Sequence, residues 1–224
     1  MNREVILVLG KTGYGKSVWS KNYTAPIQRL LAYDLCQEYP VRYCEGDEII
    51  DMLGEGENGN PITKLIARKQ GGLGKTFRLG VWKTDDAPLV GALAFMEGTC
   101  TLLLEEFSTL YGRGERMQPW LSENVFLGRH REVSILGTAQ RAASIPIDLR
   151  SQASRVISFR QTEHNDMQWL EDYFEGHTGE ISSLGKLECL DAYQGSVKRY
   201  SIASYIKGVK ADASSSVQPL KETA

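Results

Sequence analysis

Long apolar runs are missing from this chain, and their absence removes the first class of protein it could have been. None of its 224 residues belongs to a stretch approaching the ~20 consecutive apolar residues that a membrane-spanning helix requires. The N-terminus passes from Met1-Asn2-Arg3-Glu4 into an apolar run of only five residues, so neither a signal peptide nor a membrane anchor is expected. Paired cysteines are missing too. The four cysteines, Cys36, Cys44, Cys100 and Cys189, are scattered without a Cys-x-x-Cys pair, and three sit within or beside apolar runs as small core residues do. Reduced thiols in a cytosolic compartment fit best. An excess of basic charge is also lacking: 26 Lys and Arg stand against 28 Asp and Glu, for a net charge of −2. A surface coated in basic residues is excluded, and any nucleic-acid contact has to come from a local patch.

One such patch is present. Asn58 to Thr84 contains no acidic residue but holds Lys64, Arg68, Lys69, Lys75, Arg78 and Lys83, with Trp82 among them. It reads either as a phosphate-contacting surface for DNA or as a solvated basic face balanced by acids elsewhere in space, and the sequence leaves both open. With 42% hydrophobic residues, a chain of this length buries enough surface for one α/β domain, or one domain with an appendage.

The most informative segment is Gly10-Lys11-Thr12-Gly13-Tyr14-Gly15-Lys16-Ser17, which directly follows the apolar run Val5–Leu9. A strand feeding straight into this octapeptide is the Walker A phosphate-binding arrangement. Gly10, Gly13 and Gly15 let the backbone curl so that its N–H groups point at phosphate oxygens, where a Cβ would obstruct. Lys16 brings a positive charge to the β- and γ-phosphates, and Ser17 a hydroxyl for Mg²⁺. The helix expected from Lys16 to Tyr23 turns its positive dipole end toward the same anion.

Further along, Arg29–Asp34 reads as a strand and Val41–Cys44 as a short extended piece. Gly-rich loops then bracket Ile62–Lys69, which has room for one or two helical turns. Gly71 to Thr76 imitates a second phosphate loop, but the first glycine of the motif falls on Lys69, so it is rejected as a nucleotide site. Residues 54–84 read as a basic, Gly-rich excursion from the domain. Thr76–Trp82 is predicted as a strand, Ala87–Glu97 as a helix, Cys100–Leu104 as a buried strand and Pro119–Arg129 as a helix. Val133–Gly137 and Arg155–Phe159 are predicted as strands, with Glu163–Phe174 as a helix. Strands alternating with helices predict a mostly parallel sheet covered on both faces. Leu187–Ala192 and Val197–Ala203, around Tyr193-Gln194-Gly195-Ser196, predict a closing antiparallel hairpin. The ATPase domain is expected over residues 1–206, and 207–224 reads as a loosely held tail unless a partner orders it.

Binding a nucleotide is not hydrolysing it: turnover also needs a carboxylate for the metal and a group that orients water. Leu102-Leu103-Leu104-Glu105-Glu106 supplies both. Glu105, at the carboxyl end of a buried strand, is placed to hold the metal, directly or through water, and Glu106 to face the γ-phosphate and polarise water. A strand end is also where a chain reaches solvent, so two glutamates that merely end a strand are the competing reading. Gln140 lies three residues past the strand Val133–Gly137, where carboxyl ends line the ligand crevice of a parallel sheet. It is placed to sense the γ-phosphate or the water, or else closes a turn. The arginines from Arg129 to Arg155 form a pool from which a guanidinium could offset transition-state charge, often in a neighbouring subunit.

Val5–Ser17, Thr101–Glu106 and, most specifically, Gly128-Arg-His-Arg-Glu-Val-Ser-Ile-Leu-Gly-Thr-Ala-Gln-Arg141 running on to Ile145-Pro-Ile-Asp-Leu-Arg-Ser-Gln152 resemble the HerA/FtsK superfamily of ring-forming, DNA-pumping ATPases. The small size is similar to the genome-packaging ATPases of tailless, membrane-containing double-stranded DNA phages of the tectivirus type. The resemblance covers roughly residues 3 to 160. It implies a RecA-like P-loop core, ATP with Mg²⁺, and a homo-oligomeric ring, in that family commonly a hexamer, through which double-stranded DNA is translocated. It places Lys16 and Ser17 in Walker A, Glu105 and Glu106 in Walker B, and Gln140 at the sensor position. The chain departs from the family at Glu105, where aspartate is usual; the longer side chain still reaches a metal. Arg129, Arg150 and Arg155 are the candidates for the trans-acting arginine. A viral packaging motor in the host cytoplasm or on the virion, docked on a capsid vertex or a membrane-associated protein, is the leading expectation. A P-loop ATPase of filamentous-phage morphogenesis type and a small-molecule kinase are the alternatives.

Overall fold

The computed structural model describes residues 3–53, 72–110 and 117–203. The element order is β1 (Val5–Leu9), α1 (Lys16–Thr24), β2 (Arg29–Tyr33), β3 (Arg42–Tyr43), α2 (Gly46–Leu53), β4 (Phe77–Val81), α3 (Ala87–Glu97), β5 (Cys100–Leu104), α4 (Pro119–Ser122), β6 (Val133–Ala139), α5 (Ile147–Ser151), β7 (Arg155–Ser158), α6 (His164–Phe174), α7 (Thr178–Ser183), β8 (Glu188–Tyr193) and β9 (Ser196–Ser201). The strands form one sheet in the order β3-β4-β2-β5-β6-β1-β7-β8-β9. Every pairing from β3 to β7 is parallel, and β7-β8 and β8-β9 are antiparallel. The turn between β8 and β9 is Gln194-Gly195, both at positive φ (49° and 73°), the conformation that joins two strands with two residues.

Parallel strands with both faces covered are written as continuous apolar runs, and Val5–Leu9 and Cys100–Leu104 are buried at every position. Alternation then sorts their side chains between two cores. Val5, Leu7, Leu9, Leu31, Tyr33, Leu102, Leu104 and Ile135 pack on the face carrying α2, α3, Trp120 and α6. Ile6, Val8, Leu30, Ala32, Leu103, Leu136 and Ile157 pack on the other, beneath Trp19 of α1 and Ile202. The second layer is much the thinner. Helix α3 is apolar nearly all round because it is sandwiched, as its sequence Ala-Pro-Leu-Val-Gly-Ala-Leu-Ala-Phe-Met-Glu indicates. A Cβ at Gly91 would stand 2.1 Å from Trp120 Cε3, so this glycine makes room for the indole.

The expected helix Pro119–Arg129 departs from regular geometry after its first turn. It widens into a π-turn over Glu123–Leu127 and tightens into a 3₁₀ turn over Gly128–Arg131. Lateral hydrogen bonds replace the regular ladder: the Arg3 guanidinium donates to the carbonyls of Asn124 and Val125, and Asn124 Nδ2 donates to Gly91 O at 2.9 Å and Trp120 O at 2.8 Å. Helix α7 was not expected. Within the 54–84 excursion, β4 is an integral strand bonded to both β2 and β3, while residues 54–71 lie outside the described segments. Cys44, Cys100 and Cys189 are buried and Cys36 is exposed, all as free thiols.

Two consequences position the site. Strand β6 separates β1 from β5, so the octapeptide and the two glutamates leave the sheet one strand apart. The carboxyl ends of β2, β5, β6 and β1 all open at the same edge.

Candidate active site

The octapeptide is held at that edge by its own strand and two neighbours. Gly10 N donates to Ala139 O of β6 at 3.3 Å, and Lys11 N to Arg160 O beyond β7 at 3.1 Å. At φ 148° a Cβ on Gly10 would stand 2.5 Å from Phe159 Cβ; at φ 121° one on Gly15 would stand 2.9 Å from Ile202 Cδ1. Glycine is required at both by backbone and by space. Helix α1 starts at once, with no acidic residue in its first turn and no side-chain cap on Gly15. Its first amides have no intrahelical acceptors and leave a positive end for an anion.

Lys16 is buried, and its Nζ donates to Gly10 O at 2.9 Å and lies 3.4 Å from Glu106 Oε1. Ser17 Oγ donates to Glu105 Oε1 at 3.3 Å. The consecutive glutamates thus separate, one to the helix hydroxyl and one to the lysine. The separation is made by the backbone: Glu106 takes a left-handed conformation, φ 43°, and its N–H donates to Thr138 Oγ1 of β6 at 2.9 Å. That conformation costs a non-glycine residue on the order of 1 kcal/mol, and Thr138 helps hold it.

A third acid stands beside them. Asp34 follows β2 as Glu105 follows β5, and the two strands are in register, with Tyr33 opposite Leu104 and Glu105 N donating to Tyr33 O at 2.9 Å. Asp34 is fully buried, and its Oδ2 accepts from Tyr39 N at 2.9 Å and from the Tyr43 hydroxyl. Register places it beside Glu105 at the end of the neighbouring strand. Burial, then Asp34, pushes the Glu105 carboxyl up to about 8. Burial alone would raise Asp34 as well, but its interaction with Glu105 and the hydrogen bonds from Tyr43 and Tyr39 outweigh it and hold Asp34 below its ordinary value. Asp34 Oδ1 and Glu105 Oε2 are buried and meet no donor at hydrogen-bonding geometry among the described residues. Orphaned, hard oxygen donors next to a serine hydroxyl are what a small divalent cation takes.

The remaining expected residues divide by their end of the sheet. Strand β6 extends to Ala139, two residues beyond its expected end, so Gln140 follows it directly at the octapeptide's edge. The Gln140 side chain is exposed, and the Gln140 backbone carbonyl accepts from Gln161 Nε2 at 2.8 Å. Arg155 begins the four-residue β7 at the opposite edge, in register with Ile6 and so about 13 Å along the strand from Gly10. There it pairs with buried Asp191 at 2.9 and 2.6 Å and lies over Trp19 and Tyr193. Its guanidinium is committed within the chain, which removes it from the trans-acting candidates. Arg129 is exposed near that same edge, with Nε 3.2 Å from His130 Nε2. Arg150 lies over the Trp169 ring. Arg78 is also committed internally, donating to the carbonyls of Pro40, Thr24 and Ile27, so it braces the turn after α1 and does not point outward to DNA. Lys75 is exposed; Lys64, Arg68 and Lys69 lie outside the described residues.

Sequence reasoning passed over Asp34 and Thr138. The signal for Asp34 was the one used for Glu105, an acid ending a buried apolar run. For Thr138 it was a hydroxyl inside such a run.

No family model and no curated protein matches the sequence. Solved structures do resemble it. The genome packaging NTPase B204 of Sulfolobus turreted icosahedral virus 2, in complex with AMPPCP, superposes with a TM-score of 0.68 at 16% identity over 89% of this chain and 97% of that one. B204 of Sulfolobus turreted icosahedral virus, a DNA-packaging ATPase, gives 0.57 at 18% over 89% and 98%. VirB4 of Thermoanaerobacter pseudethanolicus gives 0.59 at 10% over 88% of each chain. The fold expected from the HerA/FtsK resemblance, a RecA-like P-loop NTPase core closed by an antiparallel hairpin, is the fold found.

Proposed function

We propose that this chain, a RecA-like P-loop NTPase domain by fold, hydrolyses ATP and uses the energy to move double-stranded DNA, as the motor that packages a viral genome. The observation that carries the ATPase reading is the splitting of Glu105 and Glu106 between Ser17 and Lys16 at the mouth of a glycine-built phosphate loop. The loop amides and the start of α1 bind the phosphates, and Lys16 leaves Glu106 for the β- and γ-phosphates when they arrive. Ser17 and Glu105 would hold Mg²⁺, which supplies charge neutralisation on the phosphate oxygens. Glu106, released from Lys16, accepts the proton of the attacking water. Gln140, at the same edge, orients that water or senses the γ-phosphate.

The load is read from three features: the acid-free basic segment around Lys64, Arg68, Lys69 and Lys75, the exposed Arg129, and the likeness to packaging ATPases across nearly their whole length. A homo-oligomeric ring, of six copies by the superfamily pattern, would let Arg129 or Arg150 reach a neighbour's nucleotide and would surround the DNA. Host cytoplasm or virion is the corresponding location, with a capsid vertex or membrane-associated protein as the dock. An ATPase of phage assembly or secretion is the second reading, because it needs the same site and differs only in its load.

The test is steady-state ATP hydrolysis with and without double-stranded DNA, together with particle mass under each condition. DNA-stimulated turnover by a multimer is expected. Turnover indifferent to DNA favours the second reading, and a strict monomer under all conditions removes the ring.

A further inference from the structure

We propose that Asp34 is a second carboxylate of the cation site, acting beside Glu105. The inference rests on the nucleotide reading above and extends it to a residue outside both the octapeptide and the glutamate pair.

Three observations carry it. First, register brings Asp34 to the site: β2 and β5 are adjacent, parallel and paired Tyr33 to Leu104, so the residues that follow each strand emerge side by side. Second, both residues are buried, Asp34 at 0% and Glu105 at 4% exposure, side by side at the ends of paired strands. Two such carboxylates repel unless a proton or a cation stands between them. Third, the donors run out on the side that faces the pair. Asp34 Oδ2 is fully engaged by Tyr39 N and the Tyr43 hydroxyl, but Asp34 Oδ1 and Glu105 Oε2 meet no donor among the described residues.

A purely structural role explains only the first of the two Asp34 oxygens. An asparagine would accept from Tyr39 and Tyr43 equally well without placing a second acid against a buried glutamate. The acid is accounted for if its free oxygen works on a cation beside Glu105, directly or through a bound water. Ser17, already hydrogen-bonded to Glu105, completes an all-oxygen set suited to Mg²⁺.

The test uses Mn²⁺ in place of Mg²⁺, with ADP, on the full chain. Wild-type protein labelled with ¹³C at aspartate carboxyls, and separately at glutamate carboxyls, is examined by pulsed electron-nuclear resonance of the bound Mn²⁺. Coupling from both labels is expected; Asp34→Asn should remove the aspartate coupling and weaken Mn²⁺ binding about tenfold or more. ADP affinity in EDTA should stay within twofold. Coupling from glutamate alone overturns the proposal and needs no variant to fold. An Asp34→Asn protein that loses ADP affinity equally with and without metal also overturns it, leaving Asp34 as the acceptor for Tyr39 and Tyr43 only. Failure of the wild type to bind Mn²⁺ and ADP together would instead strike the nucleotide reading itself.

Discussion

Lys16 Nζ lies 3.4 Å from Glu106 Oε1, so the cation proposed for the phosphates and the carboxylate proposed for water form an ion pair. Only 6% of Lys16 and 23% of Glu106 is exposed. On the proposed reading, nucleotide entry would exchange one partner of Lys16 for another and free Glu106.

Removing either member therefore separates binding from turnover. Lys16→Ala should abolish nucleotide binding and hydrolysis together. Glu106→Gln should bind ATP at least as tightly as wild type, since Lys16 no longer has a competing carboxylate, while turnover falls by about 10²-fold or more. Titration with a fluorescent ATP analogue and single-turnover hydrolysis measure the two. Robust hydrolysis by Glu106→Gln would end the assignment of Glu106.

Thr138 acts on Glu106 without touching nucleotide. Thr138→Val keeps the shape but deletes the acceptor of the Glu106 N–H, leaving a left-handed turn less well held. We expect a loss of about 1–2 kcal/mol of stability, unchanged ADP affinity and lower turnover, with Thr138→Ser restoring both. A turnover number equal to wild type would make the hydroxyl a packing detail.

Arg155 and Arg129 should behave oppositely. Arg155→Ala leaves Asp191, 4% exposed, as an unpaired buried acid, so about 3 kcal/mol of stability should go. That loss corresponds to a fall of roughly 10 °C in melting temperature for a domain of this size. Arg129→Ala, at an exposed site, should stay within about 0.5 kcal/mol and lower turnover only in the assembled protein. Thermal melts and DNA-stimulated hydrolysis distinguish them.

The raised Glu105 carboxyl makes stability depend on pH. Glu105 titrates near 8 when folded and near 4.5 when unfolded, so the folded state binds the extra proton between these values. Stability from Glu105 is present at and below pH 4.5 and is lost as pH rises to about 8. Asp34, held below 3.8, contributes in the other sense, and its share disappears only as pH falls beneath that value. The stability of wild type relative to Glu105→Gln should thus decline from pH 5 to pH 8 in urea titrations. A flat difference would mean that folding does not raise the Glu105 carboxyl.

Charge reversal at Lys64, Arg68 and Lys69 should weaken DNA binding and flatten its dependence on salt, because each lost phosphate contact releases fewer counterions. Equilibrium binding at several salt concentrations reads both. Unchanged affinity assigns the segment to ordinary surface.

Much of the site was legible because its signals are local. Gly10 to Ser17 must curl and Leu102 to Leu104 must be buried, so one motif and one apolar run announced a phosphate loop and a strand ending in acids. Gln140 was legible only as a polar residue past a strand, and the extension of β6 to Ala139 moved it to the strand's end. The helix Pro119–Arg129 was read by its composition, but Arg3 and Asn124, far apart in sequence, reshaped it through carbonyl contacts that no local pattern encodes.

The arginines illustrate the limit most sharply. Arg129, Arg150 and Arg155 are indistinguishable as residues in a polar stretch, yet Arg155 is committed by an aspartate 36 positions later and Arg78 by carbonyls up to 54 positions earlier. By itself the sequence determined the alternation of strands and helices, the phosphate loop and the acids beyond Leu104, since each follows from steric freedom or burial within a few residues. Which strands became neighbours, and hence that Asp34 lies beside Glu105, that Thr138 holds Glu106 and that Lys16 pairs with Glu106, was decided by the tertiary structure. Those contacts join parallel strands whose register is set by the packing of two hydrophobic layers, and neither layer exists until the whole sheet has formed.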